Sequence, residues 1–427
     1  MSLSRRMKML IKNGRVVDPE NKLDEICDVL IESGRISRVG KNIKAGAEKN
    51  IDATGKIVLP GLVDMHVHFR EPGREDKETI ASGTNAALKG GITSVLAMPN
   101  TNPAMDSAEN ITLLQKIIND TAKANVFICG TITKSRLGQE LSDIKALKKQ
   151  GAVAISDDGA SLDSDKLMEE ALKISRDEAV LLISHAEDKT LSNKGVVNLG
   201  LTSTRLGLRG ISKESEYKRV ARDVELAEKL KAPIHIAHVS CKESVEIIAK
   251  AKKKGVRVTC ETAPHYFSLT EEAVLDYDTN MKMNPPLRGK ADLEAIRVGL
   301  KNGIIDAIAS DHAPHTENEK DIEFERAEFG VTGLETELAV AITELVAGGI
   351  LSWSGLAEKL ALNPARILKI NKGTLTPGAD ADIIIVDPDK EWVVLKSAFV
   401  SKSKNSPFLQ RSLKGVVEYT INNGIYR

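Results

Sequence analysis

Cysteine is scarce in this chain, and so is any imbalance of charge. Four cysteines occur in 427 residues, Cys27, Cys129, Cys241 and Cys260, and no two stand in a CxxC pair. That excludes a disulfide framework and fits a reducing compartment, with each thiol acting as a small buried apolar group. Lys+Arg and Asp+Glu are 60 each, a net charge of zero. A nucleic-acid protein held by a basic face and a polybasic membrane binder are both disfavoured. No apolar run approaches the roughly 18 residues that a bilayer span needs. The opening MSLSRRMKML lacks the apolar core of a secretion signal, and Met7 is a candidate natural start behind a short tag. A cytoplasmic protein is expected, with no nucleic acid and no membrane among its partners.

A hydrophobic content of 41% is ordinary for a globular protein and excludes wholesale disorder. The length suits one large domain and a smaller one. The expected division is 1–58 and 371–427, which form one small β domain from both chain ends, with 59–370 inserted as the large domain. In the first segment, short apolar runs are separated by Asn13-Gly14 and Ser33-Gly34, which read as hairpin turns. In the last, 382–387 and 416–421 read as strands, the second followed by Asn423-Gly424.

Between them, eight β-branched runs alternate with amphipathic stretches: 62–66, 92–97, 125–129, 152–156, 180–185, 233–238, 256–261 and 305–310. Ser107 can cap a helix with Ile111, Leu114 and Ile118 on one face. Val220, Val224, Ala227 and Leu230 make a second stripe, and a third helix, from Ser244, ends at Gly255 after three lysines. Eight such units predict an α/β fold, a (β/α)8 TIM barrel, with a doubly wound open sheet as the alternative.

Histidine is also sparse, with eight in all, yet several fall at predicted strand ends. His66 and His68 close the first strand two residues apart, so both imidazoles face the same way. His185 and His238 end the fifth and sixth strands, and Asp311 follows the eighth. A barrel gathers its strand carboxyl ends on one face, where catalytic side chains converge. Asp157-Asp158-Gly159 after the fourth strand adds a carboxylate. Six ligands are too many for one tetrahedral zinc and suit two metals with a carboxylate bridge. His66, His68 and Asp311 would hold one ion and His185 and His238 the other, with Asp158 between. His4Asp2 suits zinc, manganese or cobalt.

These residues resemble the amidohydrolase superfamily and, within it, the dihydroorotases of the bacterial type that bridges its metals with an aspartate. The match rests on His66-Val67-His68-Phe69-Arg70-Glu71-Pro72-Gly73, Ala97-Met98-Pro99-Asn100-Thr101, Asp157-Asp158-Gly159, Lys282-Met283-Asn284-Pro285-Pro286-Leu287-Arg288-Gly289, Ser310-Asp311-His312-Ala313-Pro314-His315, Glu328-Phe329-Gly330 and Lys404-Asn405-Ser406-Pro407-Phe408, in the family's order. Phe69 stands where many relatives carry leucine and Ser156 where threonine is frequent, changes that concern packing.

The resemblance implies zinc-dependent interconversion of (S)-dihydroorotate and N-carbamoyl-L-aspartate in pyrimidine biosynthesis. It assigns the metal to His66, His68, Asp158, His185, His238 and Asp311; as a ligand carboxylate, Asp311 is also expected to take the proton of the attacking hydroxide and pass it to the leaving ring nitrogen. It gives the substrate carboxylate to Arg70, Asn100 and His315, beside His68, and the ring amides to Asn284 and the Phe329-Gly330 backbone. A small-molecule substrate is thus expected, with a homodimer as the assembly and aspartate transcarbamoylase as a candidate partner. Two rivals are a hydantoinase-like cyclic ureidase and an inactive homologue that only scaffolds the transcarbamoylase. Hydantoinases usually bridge their metals with a carbamylated lysine on the fourth strand, and Ala152-Val153-Ala154-Ile155-Ser156 has no lysine.

The polar stretch after Asp311, with five glutamates before Gly330, reads as a loop over the mouth of the barrel whose glutamates face solvent. His235, three residues before His238, is expected on the opposite side of its strand in a structural role. His265 reads equally as an orienting residue behind a ligand or as structural support.

Overall fold

The computed structural model describes residues 7–426; the candidate tag at 1–6 lies outside them. Eight parallel strands stand in sequence order: Leu62–Val67, Ile92–Ala97, Asn125–Gly130, Ala152–Ile155, Leu181–Ser184, Ile234–Ile236, Val258–Thr262 and Ala307–Ile308. Each predicted run contributes one strand. The ring closes between its first and last members. Val67 bridges His312 in parallel, the His68 N–H donates to the His312 carbonyl at 2.8 Å, and Asp64 accepts from the Ser310 N–H at 3.2 Å. These contacts make a barrel and exclude the open sheet.

Two apolar layers explain why the strands read as continuous hydrophobic runs. Leu62, Ile92, Ile128, Ile155, Leu182, Ile234, Cys260 and Ile308 face the surrounding helices. Val63, Met65, Leu96, Cys129, Ala154, Ile183, Ala237 and Ala307 fill the interior, closed below by Ala365 and Leu368 of the helix Asn363–Leu368. Helix signals hold locally. Ser107 caps Ala108–Thr121 by accepting from the Asn110 N–H, and Ile111, Leu114 and Ile118 are its buried residues. The helix Lys242–Lys253 ends in lysines, and Gly255 just beyond takes φ +80°.

A second sheet joins the two chain ends. Ile57–Pro60 runs antiparallel to Ile383–Val393, with Ile383 opposite Pro60, and parallel to Met9–Asp18 on its other side. Ser33-Gly34 is a two-residue hairpin with both φ angles positive and Glu32 paired to Arg35, and Asn423-Gly424 is built alike. Asn13-Gly14 departs from expectation. Met9–Asp18 runs straight through it as one strand, with a register shift between Ile11 and Gly14, so the pair forms a bulge. The physical reason is close packing: a Cβ on Gly14 would lie 2.5 Å from Val58 Cγ2. The positive φ of Asn13 serves the bulge, and the chain turns later, after Asp18.

Candidate functional site

The strand ends bring all six predicted ligands together. His66 Nε2 lies 3.4 Å from Asp158 Oδ1 and 3.7 Å from Asp311 Oδ1. His68 Nε2 lies 3.5 Å from Asp158 Oδ2 and 3.4 Å from Asp311 Oδ1. On the other side of Asp158, His185 Nδ1 and His238 Nε2 stand 3.3 and 3.5 Å from Oδ1. Two donor triads result, His66-His68-Asp158 and Asp158-His185-His238, every member buried and Asp158 common to both.

The donor set fits a cation. His66 Nε2 and Asp158 Oδ1 are buried with no hydrogen-bond partner, a costly arrangement unless something bridges them. Burial alone would raise the Asp158 carboxyl, but the imidazoles of His66, His185 and His238 hold it well below the usual carboxylate range. Burial likewise opposes a charge on His185, yet Asp158 and Glu187 lift its pKa to about 9.

Paired aspartates after the fourth strand have separate uses. Asp157 accepts from the N–H groups of Ile132 and Thr133 at 2.9 and 3.0 Å and from the Thr133 hydroxyl, pinning the loop after the third strand. Asp158 alone faces the imidazoles.

Backbone strain aims several of these side chains. His238, Asp311 and Arg70 have φ of +35°, +49° and +63°. Such values are rare for residues with a Cβ and concentrate at functional sites. They also overturn the expectation for His235. Ile234 and Ile236 face the helices, so His235 faces the barrel interior. The turn at His238 breaks the alternation that would have sent it outward, so both histidines serve the same cavity.

Residues proposed for the substrate ring the triads. Arg70 Nε donates to the Pro314 carbonyl at 3.2 Å, and Nη2 lies 3.3 Å from His315 Nε2. Arg70 has no carboxylate partner among the described residues, and burial lowers its pKa to about 10. His315 Nε2 donates to the Phe329 carbonyl at 2.8 Å, and its Nδ1 accepts from Lys77 Nζ at 3.1 Å. Burial and then the charges of Arg70, Lys77 and Lys320 push His315 down to about 2, so it is neutral. Asn100 Oδ1 accepts from His68 Nδ1 at 2.7 Å, which leaves its amide N–H groups as the donors for a carboxylate. Asn284 Nδ2 donates to Glu187 Oε2 at 3.2 Å, and the same oxygen lies 3.2 Å from His185 Nε2.

At Gly330 the N–H donates to the Lys282 carbonyl, and the carbonyl accepts from Lys320 Nζ and Asn405 Nδ2 at 3.0 and 3.1 Å. Its backbone is fully engaged. With φ +131° and a virtual Cβ 3.0 Å from His315 Nε2, Gly330 leaves the room that His315 occupies. Of that pair, the Phe329 carbonyl is the group with a lone pair to spare.

Glu261, Glu187 and Lys77 escaped the sequence reading. Glu261 lies one residue before the end of a barrel strand, which is a usable signal; Glu187 and Lys77 lie in loops with no pattern. His265 lies behind the site, its Nε2 buried without a hydrogen-bond partner, and burial lowers its pKa to about 4.

A barrel with histidines and aspartates gathered at its strand ends defines an amidohydrolase-type enzyme. The dihydro-orotase-like family model matches residues 55–244. A dihydroorotase of Elusimicrobium minutum is 55% identical over 418 residues, covering 98% of this chain and 97% of its own. One of Geobacter metallireducens is 50% identical over 419 residues, covering 98% and 99%. Among solved structures, the L-hydantoinase (dihydropyrimidinase) of Arthrobacter aurescens superposes with a TM-score of 0.89 at 26% identity, over 98% of this chain and 96% of its own. The chain belongs to the dihydroorotase family.

The loop over the mouth is held by two buried lysines. Lys282 Nζ donates to the carbonyls of Phe324, Glu325 and Ala327, and Lys320 Nζ to those of Glu328 and Gly330. Of the five glutamates, Glu317, Glu323, Glu325 and Glu328 are exposed, whereas Glu319 turns inward to Arg74 and Lys77. Burial, then Lys282, lowers Lys320 to about 7. The unfolded chain keeps that proton up to about 10.4. Between those values the unfolded state binds more protons, so stability rises with pH. The stability advantage of the native chain over Lys320→Met should therefore grow from pH 7 to 10, by at most about 1.4 kcal/mol per pH unit. Denaturant titrations at each pH measure it; a difference that is flat or shrinks with pH contradicts the assignment.

Proposed function

We propose that the chain catalyses the reversible hydrolysis of (S)-dihydroorotate to N-carbamoyl-L-aspartate, with zinc held by His66, His68, Asp158, His185, His238 and Asp311. One observation carries the reading. Relatives named dihydroorotase match nearly the whole chain at 50–55% identity, and here the one donor common to both triads is an aspartate. When bound, the metal supplies Lewis acidity to the amide carbonyl and nucleophilic water at neutral pH.

The protein's own groups do the rest. Asp311 takes the proton of the attacking water and passes it to the leaving ring nitrogen; in ring closure the same carboxyl, protonated, helps water depart. Transfer of this kind is worth about 10²–10⁴-fold. Arg70 grips the substrate carboxylate with two parallel hydrogen bonds, aided by the Asn100 amide, and neutral His315 adds no competing charge. Asn284 offers its carbonyl oxygen to a ring N–H, and the Phe329 carbonyl accepts a second.

Half-buried Arg70 has no carboxylate partner among the described residues, which favours an anionic substrate over hydantoin. The fourth strand, Ala152–Ile155, supplies no lysine for a carbamate bridge. Metal-stripped protein, titrated with zinc and assayed on both compounds, separates the readings. Recovery of dihydroorotate turnover with little on hydantoin is expected. Preference for hydantoin, or metal uptake with no turnover of either, overturns the proposal. In Arg70→Lys, loss of the bidentate grip should raise KM about 10–100-fold at unchanged metal content; an unchanged KM refutes the clamp.

A further inference from the structure

We propose that Glu261, anchored by His235 and Thr259, is a positioning residue that fixes the tautomer and direction of His66 and so sets how tightly the His66-His68 half of the site holds its ion. The inference rests on the reading of His66 as a metal ligand.

Three strands build the relay, the paired sixth and seventh and, beyond the eighth, the first. His66 Nδ1 lies 2.7 Å from Glu261 Oε1. Glu261 Oε2 lies 3.2 Å from His235 Nε2, and His235 Nδ1 lies 2.8 Å from Thr259 Oγ1. With neutral imidazoles and an ionised carboxyl, one proton arrangement satisfies all three contacts of the relay. The Thr259 hydroxyl donates to His235 Nδ1, His235 Nε2–H donates to Glu261, and His66 Nδ1–H donates to the other carboxylate oxygen. His66 Nε2 is then left as a bare lone pair, and it is the atom that is buried without a partner and faces Asp158. Neighbouring residues of these strands face the helices, as Ile234, Ile236, Val258 and Cys260 do. His235, Thr259 and Glu261 take the alternate positions, towards the barrel axis.

Stability alone does not account for this carboxylate. Glu261 is 1% exposed, and no lysine or arginine pairs with it among the described residues. Burying such a group costs more than an apolar residue of the same volume would. Its two oxygens are spent on imidazoles, one of which points at the donor triad. The second first-strand histidine is oriented differently: His68 Nδ1 meets the neutral Asn100 amide. An anionic partner makes an imidazole a stronger donor to a cation than a neutral partner does. His66 is therefore the firmer of the two ligands, and Glu261 is the reason.

The test uses zinc-loaded enzyme challenged with the chromogenic chelator 4-(2-pyridylazo)resorcinol, following the release of each ion. In Glu261→Gln, which preserves shape and removes the charge, one ion should leave about 10–100-fold faster while the other keeps its native rate. His235→Asn and Thr259→Val, one and two steps further back, should accelerate the same ion in decreasing order; they carry the test if the Gln variant does not fold. Native rates for both ions in all variants overturn the proposal. So does equal acceleration of both ions alongside a lowered melting temperature, since that is the signature of a purely structural role. His66→Asn is the reference. If it too retains both ions at native rates, the ligand reading itself has failed; if it loses an ion while the relay variants do not, only the relay has.

Discussion

Everything at the mouth of this barrel depends on a single carboxylate held among imidazoles. Asp158 meets His66, His68, His185 and His238 at 3.3 to 3.5 Å, deep enough that water cannot satisfy it. A buried anion without lysine or arginine is unfavourable unless positive charge is supplied. Protonated imidazoles or cations can supply it: His185, lifted to about 9, carries the charge in the bare protein, and an ion held by the two triads would take over that role. The histidines come from strands one, five and six, so only closure of the ring can bring them to one point.

That closure is itself chemical. The first and eighth strands meet through Val67, His68 and His312 and through the Asp64 carboxylate on Ser310. The residues that complete the barrel thus alternate along the chain with the residues that line the site. Glu261 and Asn100 then set the two first-strand imidazoles from behind, and strained backbone at His238 and Asp311 turns their side chains inward. Rigidity of the cylinder and precision of the site have the same source, as expected where supporting hydrogen bonds lock each ligand.

Much of this was legible in the chain. Eight apolar runs announced eight strands because a strand buried on both faces must be apolar throughout. His66 and His68 could be paired because strand periodicity is two. Asp157 and Asp158 could not be told apart on chemistry, since which one faces the cavity depends on a loop after the fourth strand. His235 was misjudged because positive φ at His238 is a tertiary outcome that periodicity does not carry. Asn13-Gly14 has the composition of a turn, yet packing of Val58 against Gly14 makes it a bulge. Lys77 and Glu187 act from loops, where neighbours in space are remote in sequence.

Anomalous scattering from zinc-loaded crystals tests the central claim most directly. Two peaks about 3.5–4 Å apart are predicted, one within bonding reach of His66 and His68, the other of His185 and His238, with Asp158 between them. A lone peak away from Asp158, or peaks that leave either histidine pair without an ion, would contradict the account.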